Sequence, residues 1–155
     1  MFKRIFEITG NVAIVTGCSS GLGVQMARAL ANQGAKIVAV ARRKELIDQV
    51  AKEIASEFGI EAVGIQCDIT DTEKVNSCVD QIVKQFGRID ILINNAGTGA
   101  VAPAEDITDD QFFNELNVDL GGTFKFARAV AKKGNDWCRL RTHNQHCINV
   151  WTCRK

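Results

Sequence analysis

The residues best suited to chemistry lie near the start of the chain, in Thr16-Gly17-Cys18-Ser19-Ser20-Gly21-Leu22-Gly23. Glycines at this spacing permit a tight turn and let the backbone approach a diphosphate. A helix starting after them would offer that anion free N–H groups and the positive end of its dipole. The plainer alternative is a glycine-rich turn with Ser20 as helix N-cap. Further polar groups follow short apolar runs: Arg42 and Arg43 after 36–41, Asp68 with Ile69 after 61–66, and Asn94-Asn95-Ala96-Gly97 at the end of 89–94. No tyrosine occurs among the 155 residues, so no phenol serves as acid or base.

These groups need elements to position them, and the hydrophobic pattern supplies a regular alternation. Val12-Ala13-Ile14-Val15-Thr16 reads as a strand; 22–33 reads as a helix with Leu22, Met26, Ala29 and Leu30 on one face, stopped by Gly34. The unit repeats as strand 36–41 and helix 43–58, with Leu46, Ile47, Val50 and Ile54 inward and a stop at Gly59. Strand 61–66 leads to a helix opened by the capping box Thr70-x-x-Glu73, with Val75, Cys78, Val79, Ile82 and Phe86 inward. A fourth strand covers 89–94. Thr108-x-x-Gln111 caps a further helix, which Gly121-Gly122 bends before Phe124, Phe126, Ala127 and Val130. Near-continuous apolar strands separated by helices define a doubly wound α/β fold with a parallel, Rossmann-like sheet, incomplete on its C-terminal side.

With 46% hydrophobic residues and a net charge of +1, the chain is an ordinary globular domain, not a disordered or fibrous one. Near-neutral charge gives no case for nucleic acid. No apolar run approaches the roughly 20 residues of a membrane span. Met1-Phe2-Lys3-Arg4 runs into Ile5-Phe6-Glu7 without a signal-peptide core, so a cytoplasmic location is expected. The six cysteines read as reduced thiols, because a chain of this size builds a core without staples.

Thr-Gly-x-x-x-Gly-x-Gly, Asp68 after the third strand and Asn94-Asn95-Ala96-Gly97 after the fourth together resemble the short-chain dehydrogenase/reductase family, over about 10–133. Ala100-Val101-Ala102-Pro103-Ala104-Glu105 is similar to the gluconate-oxidising members. The resemblance implies that Gly17, Gly21 and Gly23, with Ser19, Ser20 and Leu22 in the same loop, line a cofactor diphosphate. It places Asp68 with Ile69 at the adenine amino group, and Asn95-Ala96-Gly97 beside the adenosine ribose. The bland alternatives are that Asp68 merely precedes the Thr70 cap and that Asn94-Asn95 closes a strand. At the end of the second strand a carboxylate would bind the 2′-hydroxyl of NAD; Ala41-Arg42-Arg43 offers guanidinium instead, which favours the 2′-phosphate of NADP. The competing reading makes both arginines solvated charges at a helix start. The family moves hydride between nicotinamide and a small alcohol or carbonyl compound, and its members commonly form homo-oligomers.

The resemblance then breaks. The family uses a tyrosine, a lysine four residues later, a serine and an asparagine; this chain lacks the tyrosine, and Asp119 in Asp119-Leu120-Gly121-Gly122-Thr123-Phe124 stands at the asparagine position, with Asn117 two residues out of register. Cofactor binding without turnover is expected. Composition also changes abruptly after 133: the last 22 residues contain no alanine but hold both histidines, both tryptophans and three of the six cysteines. Such a change suggests a shifted reading frame. Codons permitted for 141–155, read from their second base, encode GRIINIASMYGLVGN, which has the form of the family's fifth strand and its serine, the latter at the codon of Ile148. The expected organisation is thus a partial dinucleotide-binding domain, 1–133, and an out-of-frame tail, 134–155. Two readings compete. One is a native, non-catalytic cofactor-binding module in which 147–151 adds a strand beside the fourth; the other is a zinc-binding tail using Cys138, His143, His146, Cys147 and Cys153, whose spacing fits no paired-ligand pattern.

Overall fold

The computed structural model describes residues 8–99, 102–133, 141–142 and 149–152. The apolar runs form β1 (Val12–Thr16), β2 (Lys36–Ala41), β3 (Ala62–Gln66) and β4 (Ile91–Asn94), alternating with α1 (Leu22–Asn32), α2 (Lys44–Phe58) and α3 (Thr72–Phe86). The four strands pair in parallel in the order β3-β2-β1-β4, a Rossmann-like doubly wound sheet. Side chains alternate across the pleat, so each strand feeds two cores. Ala13, Val15, Ile37, Ala39, Ile91 and Ile93 pack with Ala27 and Ala31 of α1 and Ile47, Val50 and Ile54 of α2. Ile14, Val38, Val40 and Leu92 pack with Val75, Val79 and Ile82 of α3 on the other face.

The helix faces differ from expectation in detail. Leu22 is 70% exposed and Ala29 is also exposed; α1 instead buries Gly23, Ala27 and Ala31, because small residues let the helix lie close to the sheet. Leu46 turns outward while Ile47 takes the core position. The cap of α3 is Asp71, not Thr70: its carboxylate accepts from the Glu73 and Lys74 amides, and Thr70 is engaged with Asp68. A carboxylate one residue closer to the helix satisfies two free amides at once, which a threonine hydroxyl two residues out does not.

Past β4, a 3₁₀ turn (Ala104–Asp106) leads to α4 (Asp109–Leu116), capped by the expected reciprocal pair Thr108 and Gln111. The bend expected at Gly121-Gly122 is a π-helical turn, Asn117–Gly122, running straight into α5 (Thr123–Lys133). Phe126, Ala129 and Val130 of α5 complete the core on the α3 side. Beside β4 the sheet continues with β6 (Asn149–Thr152) and then β5 (Arg141–Thr142), both pairings antiparallel. A strand beside β4 figures only in the competing native-module reading, over 147–151; the strand there runs Asn149–Thr152, antiparallel to β4. β5, antiparallel to β6, therefore runs in the direction of β4, and β6 takes the seat beside it.

Candidate functional site

The C-terminal ends of β1, β2, β3 and β4 open on one cleft of about 460 Å³. Such a volume is ordinary for a small-molecule site, and the carboxyl end of a doubly wound sheet is where one is expected. Gly17, Ser19, Ser20, Arg42, Arg43, Asp68, Ile69, Asn95, Ala96 and Gly97 all line it. Residues 80 positions apart thus meet on one surface.

Gly21, Leu22 and Gly23 do not line this cleft. Gly21 is the N-cap of α1 with φ 64°, and no side chain caps the helix there; its first turn carries no acidic residue. The start of α1 therefore keeps its dipole uncompensated by protein groups. Gly23 lies behind the loop. A Cβ on it would sit 2.4 Å from the Gly17 carbonyl oxygen and 2.7 Å from Asn95 Nδ2. On Gly17 a Cβ would meet Ala96 Cα at 2.7 Å. Both positions require glycine because the loop and the Asn95-Ala96 backbone touch.

Thr16 fastens that contact. Its hydroxyl accepts from the Asn95 and Ala96 amides at 3.0 and 3.1 Å and donates to the Ile93 carbonyl, while Asn95 Nδ2 donates to the Thr16 carbonyl at 3.1 Å. Asn95 is consequently a structural bracket between β1 and β4, more than a strand end. Asn94 ends β4, 6% exposed, and its side-chain Nδ2 has no partner among the described residues. The Cys18 thiol donates to the Gly23 carbonyl at 3.5 Å, and burial pushes its pKa up to about 12, which keeps it an unreactive thiol.

At the other end of the cleft Arg43 Nη2 donates to Ser19 Oγ at 2.9 Å, joining the glycine loop to the end of β2. Ser20, the alternative cap, lines the cleft instead. Asp68 Oδ1 accepts from the Thr70 amide at 3.0 Å and its hydroxyl at 2.8 Å. These two hydrogen bonds, with the Arg42 charge adding, hold the Asp68 carboxyl below the usual carboxylate range. Cys67 forms cleft wall beside it; a hydrogen bond from the Cys78 thiol favours its thiolate, and the same bond raises Cys78. Asp119 accepts the Thr98 amide at 2.9 Å, directly after Asn95-Ala96-Gly97. An asparagine would accept that amide equally well, so aspartate preserves the bond and adds a charge.

Sequence reasoning missed Val40, Cys67, Thr70 and Val118 as walls of this cleft, and it quoted Thr16 within the glycine motif without giving its hydroxyl a role. Thr16 carried a signal: a hydroxyl at the end of a buried apolar strand must find partners. The apolar wall residues carried none beyond their place in a strand. Among the described residues no group of three or more His, Cys, Asp or Glu could hold a metal, and Cys18, Cys67 and Cys78 are free thiols. Of the proposed zinc ligands, Cys138, His143, His146, Cys147 and Cys153 all lie outside the described residues. No described helix is long and apolar enough to cross a membrane.

The chain belongs to the short chain dehydrogenase family, whose profile matches residues 11–139. It is 38% identical to a D-threitol dehydrogenase of Mycolicibacterium smegmatis over 83% of this chain and 49% of that protein. It is 34% identical to a 2-dehydro-3-deoxy-D-gluconate 5-dehydrogenase of Pseudoalteromonas atlantica, over 83% and 50%. Among solved structures, an NAD+-bound xylitol dehydrogenase superposes with a TM-score of 0.78 at 35% identity, covering 83% of this chain and 49% of that one. An L-sorbose reductase of Gluconobacter frateurii, solved with NADPH and L-sorbose, gives 0.75 at 31% identity, covering 81% and 48%. The chain spans about half the length of the curated relatives it matches.

Proposed function

We propose that this chain is the cofactor-binding part of an NADP-dependent oxidoreductase acting on small alcohols or carbonyl compounds, sugar-derived acids such as gluconate among them, and that as it stands it binds cofactor without turnover. The observation that carries the reading is the single cleft joining the Gly17–Ser20 loop, the arginines at the end of β2 and the Asp68 carboxylate. In this reading the uncapped start of α1 at Gly21 and Leu22, with Gly17 at the cleft, receives the diphosphate, and Gly23 lets the loop pack closely enough to present it. Arg42 and Arg43, with Ser19 and Ser20 beside them, receive the 2′-phosphate through charge-assisted hydrogen bonds. Asp68 and Ile69 face the adenine, and Asn95-Ala96-Gly97 the ribose. The bound cofactor would supply hydride transfer.

The L-sorbose reductase solved with NADPH supports the NADP assignment, while the NAD+-bound xylitol dehydrogenase keeps NAD as the alternative. The lack of any tyrosine supports the absence of turnover. Exposed Phe112, Phe113, Leu116 and Leu120 support a homo-oligomer in which a second copy covers α4. A cytoplasmic location, and a boundary at 133 beyond which the chain is read out of frame, complete the proposal. Resequencing the gene from codon 125 onward tests the boundary: a one-base correction restoring Tyr-x-x-x-Lys supports it, and an unchanged frame overturns it.

The cofactor reading is tested by mixing the chain with NADPH and following its fluorescence, then adding a panel of carbonyl compounds. Enhanced fluorescence with no loss of NADPH is expected. Oxidation of NADPH above the protein-free rate would contradict the absence of turnover, and unchanged fluorescence would contradict the binding site. The native-module reading makes the same fluorescence prediction, and resequencing separates the two.

A further inference from the structure

Lys125 stands in the first turn of α5, 55 residues from the loop it touches. Its ammonium donates to the Thr70 carbonyl at 2.8 Å and to Asn117 Oδ1 at 3.2 Å. Thr70 belongs to the stretch between β3 and α3 that carries Asp68, and the bonds from Thr70 to Asp68 are local. Local bonds fix the shape of such a loop and leave its position open; that is set by what reaches it from elsewhere. Two contacts from the π turn and α5 do so. Ile69 lies so close to Gly122 that a Cβ there would come within 2.5 Å of Ile69 Cδ1, and Lys125 holds the next residue by its carbonyl.

The second hydrogen bond of the Lys125 ammonium goes to the π turn. Asn117 opens the π turn; the next residue, Val118, lines the cleft, and the one after it, Asp119, holds the Thr98 amide. One ammonium thus ties the Asp68–Thr70 wall to the turn that braces the Asn95–Thr98 wall. A lysine suits this because it offers three rotatable donors on a flexible stem, enough for two acceptors on separate elements.

We propose that Lys125 is a positioning residue for the adenine end of the cleft, fixing the Asp68–Thr70 loop against the π turn so that the Asp68 carboxylate meets the cofactor already in place. This rests on the cofactor reading above. Substituting Lys125 by Met keeps the apolar stem and removes every donor, whereas Arg keeps the charge and the reach. The expectation for Lys125→Met is about tenfold weaker binding of both NADPH and adenosine 2′,5′-bisphosphate, about 1.4 kcal/mol in each. Nicotinamide mononucleotide should bind as it does to the unaltered chain, and Lys125→Arg should recover most of the loss. Hydrogen exchange without ligand gives a second readout: the Thr70 and Asp71 amides should exchange faster in Lys125→Met, with core amides of β1 unchanged.

Equal loss for adenosine bisphosphate and nicotinamide mononucleotide, or a lowered melting temperature with unchanged affinity and unchanged loop exchange, would assign Lys125 a merely structural role and overturn the proposal. Unaltered chain that binds neither NADPH nor the bisphosphate overturns the cofactor reading, and this inference with it. Normal binding by the unaltered chain and by Lys125→Met alike overturns the inference alone.

Discussion

Two phenylalanines two positions apart on α5 have opposite fates. Phe126 is wholly buried between α3 and the sheet, whereas Phe124 is 60% exposed, in line with Phe112, Phe113, Leu116 and Leu120 before it. Through α3 and β4, helix after helix buries an apolar face on strands of its own chain. From α4 to the first turn of α5 the large apolar side chains face outward. The cleft is therefore built mostly on a region that completes its own core, while the segment just beyond it, which contributes Val118, otherwise presents apolar surface. In the proposed reading cofactor binding rests mainly on the first region, with Val118 and Lys125 of the second bracing the cleft, and good solution behaviour depends on what covers the outward apolar side chains.

Substitution on α5 is the strongest way to break that contrast. Phe126→Ala should cost about 3–5 kcal/mol, as expected for an aromatic side chain removed from a packed core. Phe124→Ser should stay within about 0.5 kcal/mol. Urea denaturation compares them directly, and similar losses for both would dissolve the distinction between the regions.

A smaller effect is expected at Gly23, where the cost comes from backbone contact. Gly23→Ala drives a methyl group into the Gly17 carbonyl and Asn95, so the loop must move; a destabilisation of about 1–3 kcal/mol is expected, together with loss of NADPH binding. Gly59→Ala is the control for the fluorescence titration: its φ of +65° strains an alanine there too, but nothing lies within 4 Å of its Cβ and it does not line the cleft. Retained affinity in Gly23→Ala would show that the close approach has no bearing on the site.

The smallest effect is one of pH. Asp68 has a lowered pKa in the folded chain, set first by its bonds from Thr70. A lowered value means that the carboxylate stabilises the fold above its unfolded pKa of about 3.9, and that this contribution fades as pH falls through the folded value. Between about pH 5 and pH 3 the unaltered chain should therefore lose more stability than Asp68→Asn does. Parallel pH curves for the two proteins would remove the carboxylate from the account.

Much of the fold was legible because burial on both faces leaves continuous apolar strands, and because α2 ends at Gly59 as the pattern required. Helix orientation was less so. The hydrophobic pattern alone favours Leu22 and Leu46 as core residues, but the close seat of α1 on the sheet rewards Gly23, Ala27 and Ala31, which hydrophobicity ranks low. The cap of α3 was misplaced by one residue because Thr70 and Asp71 are both good caps, and a local bond to Asp68, two residues back, takes the Thr70 hydroxyl. In the cleft, the residues that stand at strand ends were readable from spacing. Those that act across the fold were not: Thr16 bracketing Asn95, Asp119 on Thr98 and Lys125 on Thr70 join segments whose proximity no local pattern announces.

The most direct test of the cofactor cleft is a map of backbone amide chemical shifts as NADPH is added. The account predicts shifts confined to Gly17–Gly23, Arg42–Arg43, Asp68–Thr70 and Asn95–Gly97, larger for NADPH than for NADH at the two arginines. Shifts centred elsewhere, or none at NADPH concentrations that saturate a working dehydrogenase, would contradict it.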